Sequence, residues 1–477
     1  MNSAQPDRSP FGVSAVVPAG ANRALQVVLA GWTVLYSWRS LVGHYSLNTN
    51  AYDLALFDYG VANLIRDGRG QVPFIGHSLA AEHFMPVLWV FAPIYRFMGT
   101  PAVLLMLQIG AILGAALLLA RFCRGNGLSG NATAALVFVF LFARRTHGAA
   151  ANMFYPEVFQ AGLTIAMVMA WTARRVWLYW ALVFLLLATK EDAGIYVLGF
   201  GCVSALYFPT RRKQAVVTSV VAAAWILFAV SIAIPGARSA DGLPRENPLI
   251  QTRYGADDGT INIGGLARRL LSVRAAGNVA GVLATAGFLS LAAPVTLAPA
   301  VPGILINAAA DPATMQAKLI DHYLWPMLPW LFMAAALGYR RFERAWPRVA
   351  PAFLGVLAVV TAADNPALQR ARDTRLNPEA AVVRSQLRAL EINGSVLAQA
   401  NLIPHLRRAD RIYAVGGMHE PPSPPEFVLM TEIGDLWPVT LEQTRELVRR
   451  YESNLSYVRV SPGPLFAYRL KRPDNSR

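Results

Sequence analysis

From Ala275 to Ala310 the chain runs 36 residues without a charged side chain. A helix crosses the hydrocarbon core of a bilayer in about 20 apolar residues, satisfying every backbone N–H and C=O within itself. A run nearly twice that length fits two consecutive crossings. Composition points the same way: 55% of the residues are hydrophobic, 15% are charged, and mean hydropathy is +0.38. Soluble domains carry about 25% charged residues. A soluble enzyme, a disordered chain and a disulfide scaffold are therefore excluded. Cys123 and Cys202 lie in or beside apolar runs and give neither a disulfide framework nor a metal spacing.

Eleven segments have the composition of spans: Ala24–Gly43, Pro101–Ala120, Gly127–Ala143, Val158–Ala173, Val176–Thr189, Ala193–Pro209, Ala215–Pro235, Val279–Ala293, Pro294–Ala310, Tyr323–Tyr339 and Val349–Ala363. The 36-residue run is divided at Pro294. Several are shorter than 20 residues, which implies packing inside a bundle or local thinning of the bilayer. The net charge of +15 is carried almost entirely by arginine. With abundant alanine and only four lysines (Lys190, Lys213, Lys318 and Lys471), this suggests a GC-rich bacterial source. No basic stripe interleaved with aromatics occurs, so nucleic acid is not an expected partner.

Arginine placement sets the expected orientation. Alternate turns hold Arg121 and Arg124, then Arg174 and Arg175, then Arg211, Arg212 and Lys213, then Arg340, Arg341, Arg344 and Arg348. These turns are expected in the cytoplasm, with the N-terminus inside and the C-terminus outside. Residues 1–21, polar and without the pattern of a cleavable signal, form a cytoplasmic tail. Residues 22–363 form the transmembrane domain, with outer loops at 45–100 and 236–278. Residues 364–477 are polar and proline-rich and form an extracytoplasmic domain. There, Ser395–Ala400, Arg411–Val415, Phe427–Met430, Tyr457–Val460 and Leu465–Leu470 have strand patterning, and Thr440–Ser453 has that of a helix. The expected fold is an all-α polytopic membrane bundle of about eleven transmembrane helices with a small extracytoplasmic α/β C-terminal domain.

Polar residues at membrane depth are costly, so each is a candidate for function. In the first outer loop Leu54, Phe57, Val61, Leu64 and Ile65 recur at helical spacing, with Asp53 at the start of this amphipathic helix. Asp53 is either a catalytic carboxylate or the N-cap of that helix. Asp58, five residues on, projects about 140° away around a 3.6-residue helix, so the two carboxylates do not converge. Glu82 and His83 precede another apolar stretch, where His83 is a ligand-binding or a structural residue. Arg144, Arg145 and His147 end the third span and Glu157 opens the fourth. The arginines there run against the positive-inside trend, as an anionic partner or a misplaced span would require. Lys190, Glu191 and Asp192 form a charged triplet between two spans, either a binding site or a self-neutralising turn. His322 and Tyr323 open the tenth span, where Tyr323 is also suited to anchor at the interface. Carboxylates suit a general base or a divalent cation, and arginines suit a phosphate at headgroup depth.

Tyr52-Asp-Leu-Ala-Leu-Phe-Asp58, Glu82-His-Phe-Met-Pro86, Lys190-Glu-Asp192 and His322-Tyr323 resemble a family of bacterial polytopic membrane proteins known only as a domain of unknown function. Val396–Tyr413, with Ile403-Pro-His-Leu and Arg411-Ile-Tyr, resembles its extracytoplasmic tail, so the resemblance covers most of the chain. That family in turn resembles the GT-C glycosyltransferases. The resemblance implies a GT-C-like bundle using sugars on polyprenyl phosphate, with Asp53 at the first-loop acidic position and Glu157 at the second.

The function these readings favour is an integral membrane glycosyltransferase moving a sugar from a polyprenyl-phosphate donor to an envelope acceptor on the outer face of the bacterial inner membrane. Asp53 and Glu157 would be catalytic. Asp58, His83, Arg144, Arg145, Lys190, Glu191, Asp192, His322 and Tyr323 would bind substrate, and a divalent cation (magnesium or manganese) would suit the carboxylates. The alternatives are a transporter or flippase for a lipid-linked or anionic solute, and a non-catalytic envelope-assembly protein. Against a transporter, no repeated halves are visible and the charges gather toward one surface.

Overall fold

The computed structural model describes residues 11–12, 22–246, 252–255, 263–406, 411–417 and 419–471. Helices occupy the apolar runs. Arg23–Tyr45 is followed, after the long loop 46–100, by Pro101–Gly125, Gly130–Phe142, Val158–Thr172, Val176–Leu187, Ala193–Tyr207 and Arg212–Phe228. Among the described residues two helical stretches, Pro101–Gly125 and Pro209–Ala240, are long and apolar enough to cross a membrane, and seven apolar helices are 10–17 residues long.

Three expected spans, Val279–Ala293, Pro294–Ala310 and Tyr323–Tyr339, differ from the structure. The 36-residue run does divide at Pro294, but its first half is already interrupted. Gly287 and Phe288 take left-handed backbone conformations (φ 59° and 58°), ending the helix Val273–Thr285 before a 3-10 turn at Leu289–Ala292. The second half is a chain of short pieces, Pro294–Leu297, Ala298–Ala300 and Val301–Ala309, each opened by a proline at its first or second position. The span expected at Tyr323 begins instead with a 3-10 turn, Asp321–Leu324. Its helix runs Leu328–Ala345, five residues later, because Pro329 sits near its N-terminus, where a missing N–H is harmless.

Large aromatics fill the bundle core; Trp32, Tyr36, Trp171, Tyr179, Trp325, Trp330 and Tyr339 are all buried there. The arginine-rich turns meet at one end. Arg340 donates to the Asn126 carbonyl, Arg211 to the Trp171 carbonyl and Arg341 to the Ala292 carbonyl. At the opposite end lie the long loop 46–100 and the C-terminal sheet domain.

The loop begins with a π-helical turn, Ala51–Ala55, continues as the helix Leu56–Asp67, and closes through a two-residue hairpin, β1 (Gln71–Val72) with β2 (His77–Ser78). The C-terminal sheet has five strands: β3 (Val396–Ala398), β4 (Ile412–Ala414), β5 (Phe427–Thr431), β6 (Tyr457–Arg459) and β7 (Leu465–Leu470). Their order is β4-β3-β5-β7-β6. The first three are parallel and β7 is antiparallel to both its neighbours, with Val428 opposite Tyr468. The period of two along β5 separates two cores. Val428 and Met430 face the helix Leu441–Glu452, whose Thr440 and Gln443 form a capping box. Phe427 and Leu429 face the other way, into a cluster that also holds Leu54, Phe57 and Val61 of the loop. Loop and sheet domain thus share one hydrophobic core. The Asp435 N–H donating to the Leu47 carbonyl at 2.9 Å reinforces it.

Candidate functional site

Asp53 lies in the π-helical turn, and it is not the cap. Asn50 is: its Oδ1 accepts from the N–H groups of Tyr52 (2.9 Å) and Asp53 (3.1 Å). The structure therefore removes the N-cap alternative for Asp53. The Asn50 amide donates to Asp53 Oδ2 at 2.8 Å, and the Tyr155 hydroxyl donates to Oδ1 at 2.6 Å. The backbone joins the same pair of segments, since Phe154 N–H donates to the Asp53 carbonyl at 3.0 Å. Burial raises the Asp53 carboxyl above the usual carboxylate range, although Tyr155 and Asn50 favour its charged form.

Tyr155 is held in turn. Its N–H donates to Gln108 Oε1 at 2.9 Å, and its ring stacks on the His322 imidazole, with centroids 3.9 Å apart and planes 10° from parallel. Tyr323 packs at a tilt against His322 at 4.0 Å, and the Arg253 guanidinium lies over the Tyr323 ring at 5.9 Å. Burial drives the His322 imidazole down to about 3, so it is neutral at physiological pH. Its Nδ1 is buried without a hydrogen-bond partner among the described residues.

Glu157 and Lys190 form the deepest charged pair, 2.5 Å apart, with side chains 2% and 7% exposed. Burial alone would pull the Lys190 ammonium down; Glu157, Asp192 and Glu191 outweigh it and hold it above the ordinary lysine range. The second Glu157 oxygen, Oε2, is buried and unpartnered among the described residues. Glu191 turns away from Lys190, accepting from Phe84 N–H at 2.9 Å and pairing with His83 Nδ1 at 2.8 Å. Asp192 accepts from Gln160 at 3.1 Å. Lys190 also lies 3.9 Å from Asp192, so the triplet 190–192 is neutralised in part within itself, while the shortest contact of each member is to another segment. His83 has its partner in Glu191.

Arg144 and Arg145 stand elsewhere, lining a cavity of about 730 Å³ with Lys318, Asp321 and Asp364. Arg144 pairs with Asp364 at 2.7 Å. Arg145 donates to the carbonyls of Lys318 (3.0 Å) and Leu319 (3.2 Å), in space that a side chain at Gly281 would fill. Leu357 and Val360, on the helix Val349–Asp364, form an apolar wall. Lys190 makes no contact with this cavity; its ammonium belongs to Glu157. The Asp321–Leu324 turn connects the two regions, Asp321 facing the cavity and His322 facing Tyr155. Asp58 is buried in the helix Leu56–Asp67. His147 hydrogen-bonds Tyr36 at 3.0 Å.

Among the described residues no three His, Cys, Asp or Glu side chains gather into an all-protein cage for a magnesium or manganese ion. Both Asp53 oxygens accept from neutral donors, and Glu157 is neutralised by Lys190. The sequence reading missed Asn50 as a cap and omitted Tyr155, Gln108, Gln160 and Arg253. Tyr155 stands two positions before Glu157 beside Pro156, a signal available in the sequence.

The comparisons agree with this architecture. The crystal structure of ArnT from Cupriavidus metallidurans bound to undecaprenyl phosphate superposes with a TM-score of 0.57 at 13% identity, covering 94% of this chain and 97% of that one. ArnT from the same organism in the apo state gives 0.51 at 14% identity, covering 92% and 98%. These likenesses show a fold shared with ArnT. No curated protein matches the sequence. The family described as predicted membrane protein, DUF2079, matches residues 43–458. The chain belongs to the DUF2079 family of membrane proteins.

Proposed function

We propose that this protein is a glycosyltransferase of GT-C type in the bacterial inner membrane, moving a sugar from a polyprenyl-phosphate donor to an envelope acceptor on the outer face. The observation that carries the reading is the half-buried Asp53 carboxylate, fixed by Tyr155 and Asn50 within a fold shared along nearly the whole chain with a protein crystallised bound to undecaprenyl phosphate. In this reading residues 1–21 are cytoplasmic, residues 22–363 form the membrane domain, and residues 364–477 lie outside.

An acceptor hydroxyl is a weak nucleophile, and a base positioned to take its proton contributes about 10²- to 10⁴-fold. Asp53 is that base. Burial brings its proton affinity closer to working pH, and its two donors fix the direction of its remaining lone pairs. The hydroxyl oxygen attacks the anomeric carbon of the donor, the bond to the lipid phosphate oxygen breaks, and the hydroxyl proton passes to Asp53. The leaving phosphate is held by Arg144, Arg145 and Lys318 in the cavity beside the Val349–Asp364 helix, whose apolar wall suits a polyprenyl chain. Glu157 and Lys190 form the buried strut that ties the Tyr155 segment to the 190–192 turn, whose Glu191 holds His83 and Phe84 of the first loop, so Lys190 positions the site and leaves the phosphate to the arginines.

Deleting the gene in its native host tests the reading. Loss of one sugar from an envelope glycan is expected, with accumulation of the matching polyprenyl-phosphate-linked sugar. Unchanged glycans together with unchanged lipid-linked pools would overturn it.

A further inference from the structure

At the end of the bundle where the arginine turns meet, a cavity of about 230 Å³ opens among the helices Val158–Thr172, Val176–Leu187 and Arg212–Phe228. Trp171, Arg174, Arg175, Val176, Tyr179 and Arg211 line it among others, and it shares no lining residue with the cavity at Arg145. Two of its walls are fixed by the fold. Tyr179 is buried, its hydroxyl hydrogen-bonded to Thr218 at 2.6 Å. Arg211 donates to the Trp171 carbonyl, and its guanidinium lies over the Trp171 ring at 5.2 Å.

Arg174 and Arg175 differ from Arg211. Both are exposed, and among the described residues neither guanidinium has a hydrogen-bond or ion-pair partner. Beside them Trp171 is 1% exposed, and its indole N–H is buried and unpartnered among the described residues. The turn itself does not call for arginine. Arg174 sits at φ 57°, in the left-handed position that ends the Val158–Thr172 helix, where the N–H groups of Arg174 and Arg175 donate to the carbonyls of Trp171 (3.1 Å) and Ala170 (3.0 Å). Glycine is the usual residue there, because an added side chain makes that backbone costly.

Unpartnered guanidiniums at a cavity suit an oxyanion, and their planar fork matches the oxygens of a phosphate. The surroundings say which phosphate. Val176, part of the lining, is 51% exposed; its neighbour Trp177 is 90% exposed, and Leu206, just before the Arg211 turn, is 75% exposed. Apolar and aromatic side chains exposed around a basic cavity at helix ends fit the headgroup level of a bilayer. A lipid whose phosphate reaches the arginines keeps its acyl chains against these side chains, whereas a free phosphate gains nothing from them.

We infer that this cavity binds the headgroup phosphate of an anionic phospholipid, in the leaflet at the arginine end of the bundle, through Arg174 and Arg175. Nothing in this site depends on sugar transfer.

Native mass spectrometry of the full chain tests it, with delipidated protein in detergent titrated with phosphatidylglycerol, phosphatidylcholine or inorganic phosphate. A first phosphatidylglycerol adduct that saturates is expected, with phosphatidylcholine weaker and inorganic phosphate silent at the same concentrations. A basic residue at a charged lipid surface contributes roughly fivefold, so Arg174→Gln with Arg175→Gln should weaken phosphatidylglycerol by roughly 25-fold. Arg344→Gln with Arg348→Gln removes equal charge from another turn at the same end. That pair should leave the affinity unchanged in salt that screens distant charges. Arg174→Gly controls for folding: the left-handed backbone favours glycine, so it should melt no lower than wild type while losing roughly fivefold in lipid affinity. Unchanged affinity in the Arg174/Arg175 variant would overturn the site. Equal weakening by the two double variants would also overturn it, by assigning the attraction to the whole basic face. Inorganic phosphate binding as tightly as the lipid, or phosphatidylcholine binding as tightly as phosphatidylglycerol, would overturn the anionic-lipid assignment.

Discussion

The Tyr155 hydroxyl donates a 2.6 Å hydrogen bond to Oδ1 of Asp53, joining the segment before the fourth apolar helix of the bundle to the first turn of the long loop. Because the bond favours the charged carboxylate, it opposes the rise that burial imposes. Tyr155→Phe removes that opposition, and a hydrogen bond to a charged group is worth about 1.5–3 kcal/mol. At 1.36 kcal/mol per unit, the Asp53 carboxyl should titrate roughly one to two pH units higher. The base form is the deprotonated one, so the acid limb of the pH profile of kcat/KM should move up by that amount. A profile that keeps its shape while only its height falls would assign Tyr155 a purely structural role.

Lys190 and Glu157 invite a stability measurement. Removing one partner of a buried pair leaves an uncompensated charge, at a cost of about 3–5 kcal/mol. Lys190→Met should therefore lower the melting temperature in detergent sharply, and adding Glu157→Gln should recover most of the loss. If Lys190→Met melts like wild type but uses donor poorly, Lys190 contacts the phosphate after all.

Arg144 and Arg145 should differ. The Arg144–Asp364 pair is mostly exposed, with side chains 63% and 50% accessible, and such pairs contribute about 0–1 kcal/mol. Arg144→Gln should leave thermal stability nearly unchanged. Arg145→Gln should raise the donor KM by roughly 10- to 150-fold, the effect of losing a charged hydrogen-bond partner. Equal KM values for wild type and Arg145→Gln would move the phosphate site elsewhere.

The apolar runs and the period-two strands were legible because each follows from local patterning. The sheet domain's Leu465–Leu470 strand and the Thr440 cap lie where alternation and capping chemistry put them. Gly287 and Phe288 were not legible, because a left-handed break inside an uncharged run leaves no change in hydropathy. At the site the sequence pointed to the charged residues and not to their partners. Lys190 stands beside two acids in the chain, yet it pairs with Glu157, 33 positions away. Tyr155 carries no charge, so a search for charged residues at membrane depth passes over it, and only its place two positions before Glu157 points to it. The pairing is made by helix packing, which the spacing of residues does not encode.

Sidedness is open to a direct check. The arginine turns meet at one end of the bundle and the sheet domain lies at the other. Reporter fusions after Arg175, Lys213 and Arg477 should report inside, inside and outside. A cytoplasmic signal at Arg477 would put Asp53 on the wrong face for an envelope acceptor.

The most direct test is Asp53→Asn. Asparagine keeps the size of the side chain, and both neighbours can still be satisfied: its oxygen accepts from Asn50, and its amide donates to the Tyr155 hydroxyl, which can act as acceptor. Only the basicity is lost. The variant should accumulate in the membrane and melt like wild type, while transfer of the lipid-linked sugar falls by about 10²- to 10⁴-fold and the envelope glycan of a deletion strain is not restored. A variant that restores the wild-type glycan pattern would contradict the assignment of Asp53 as the base.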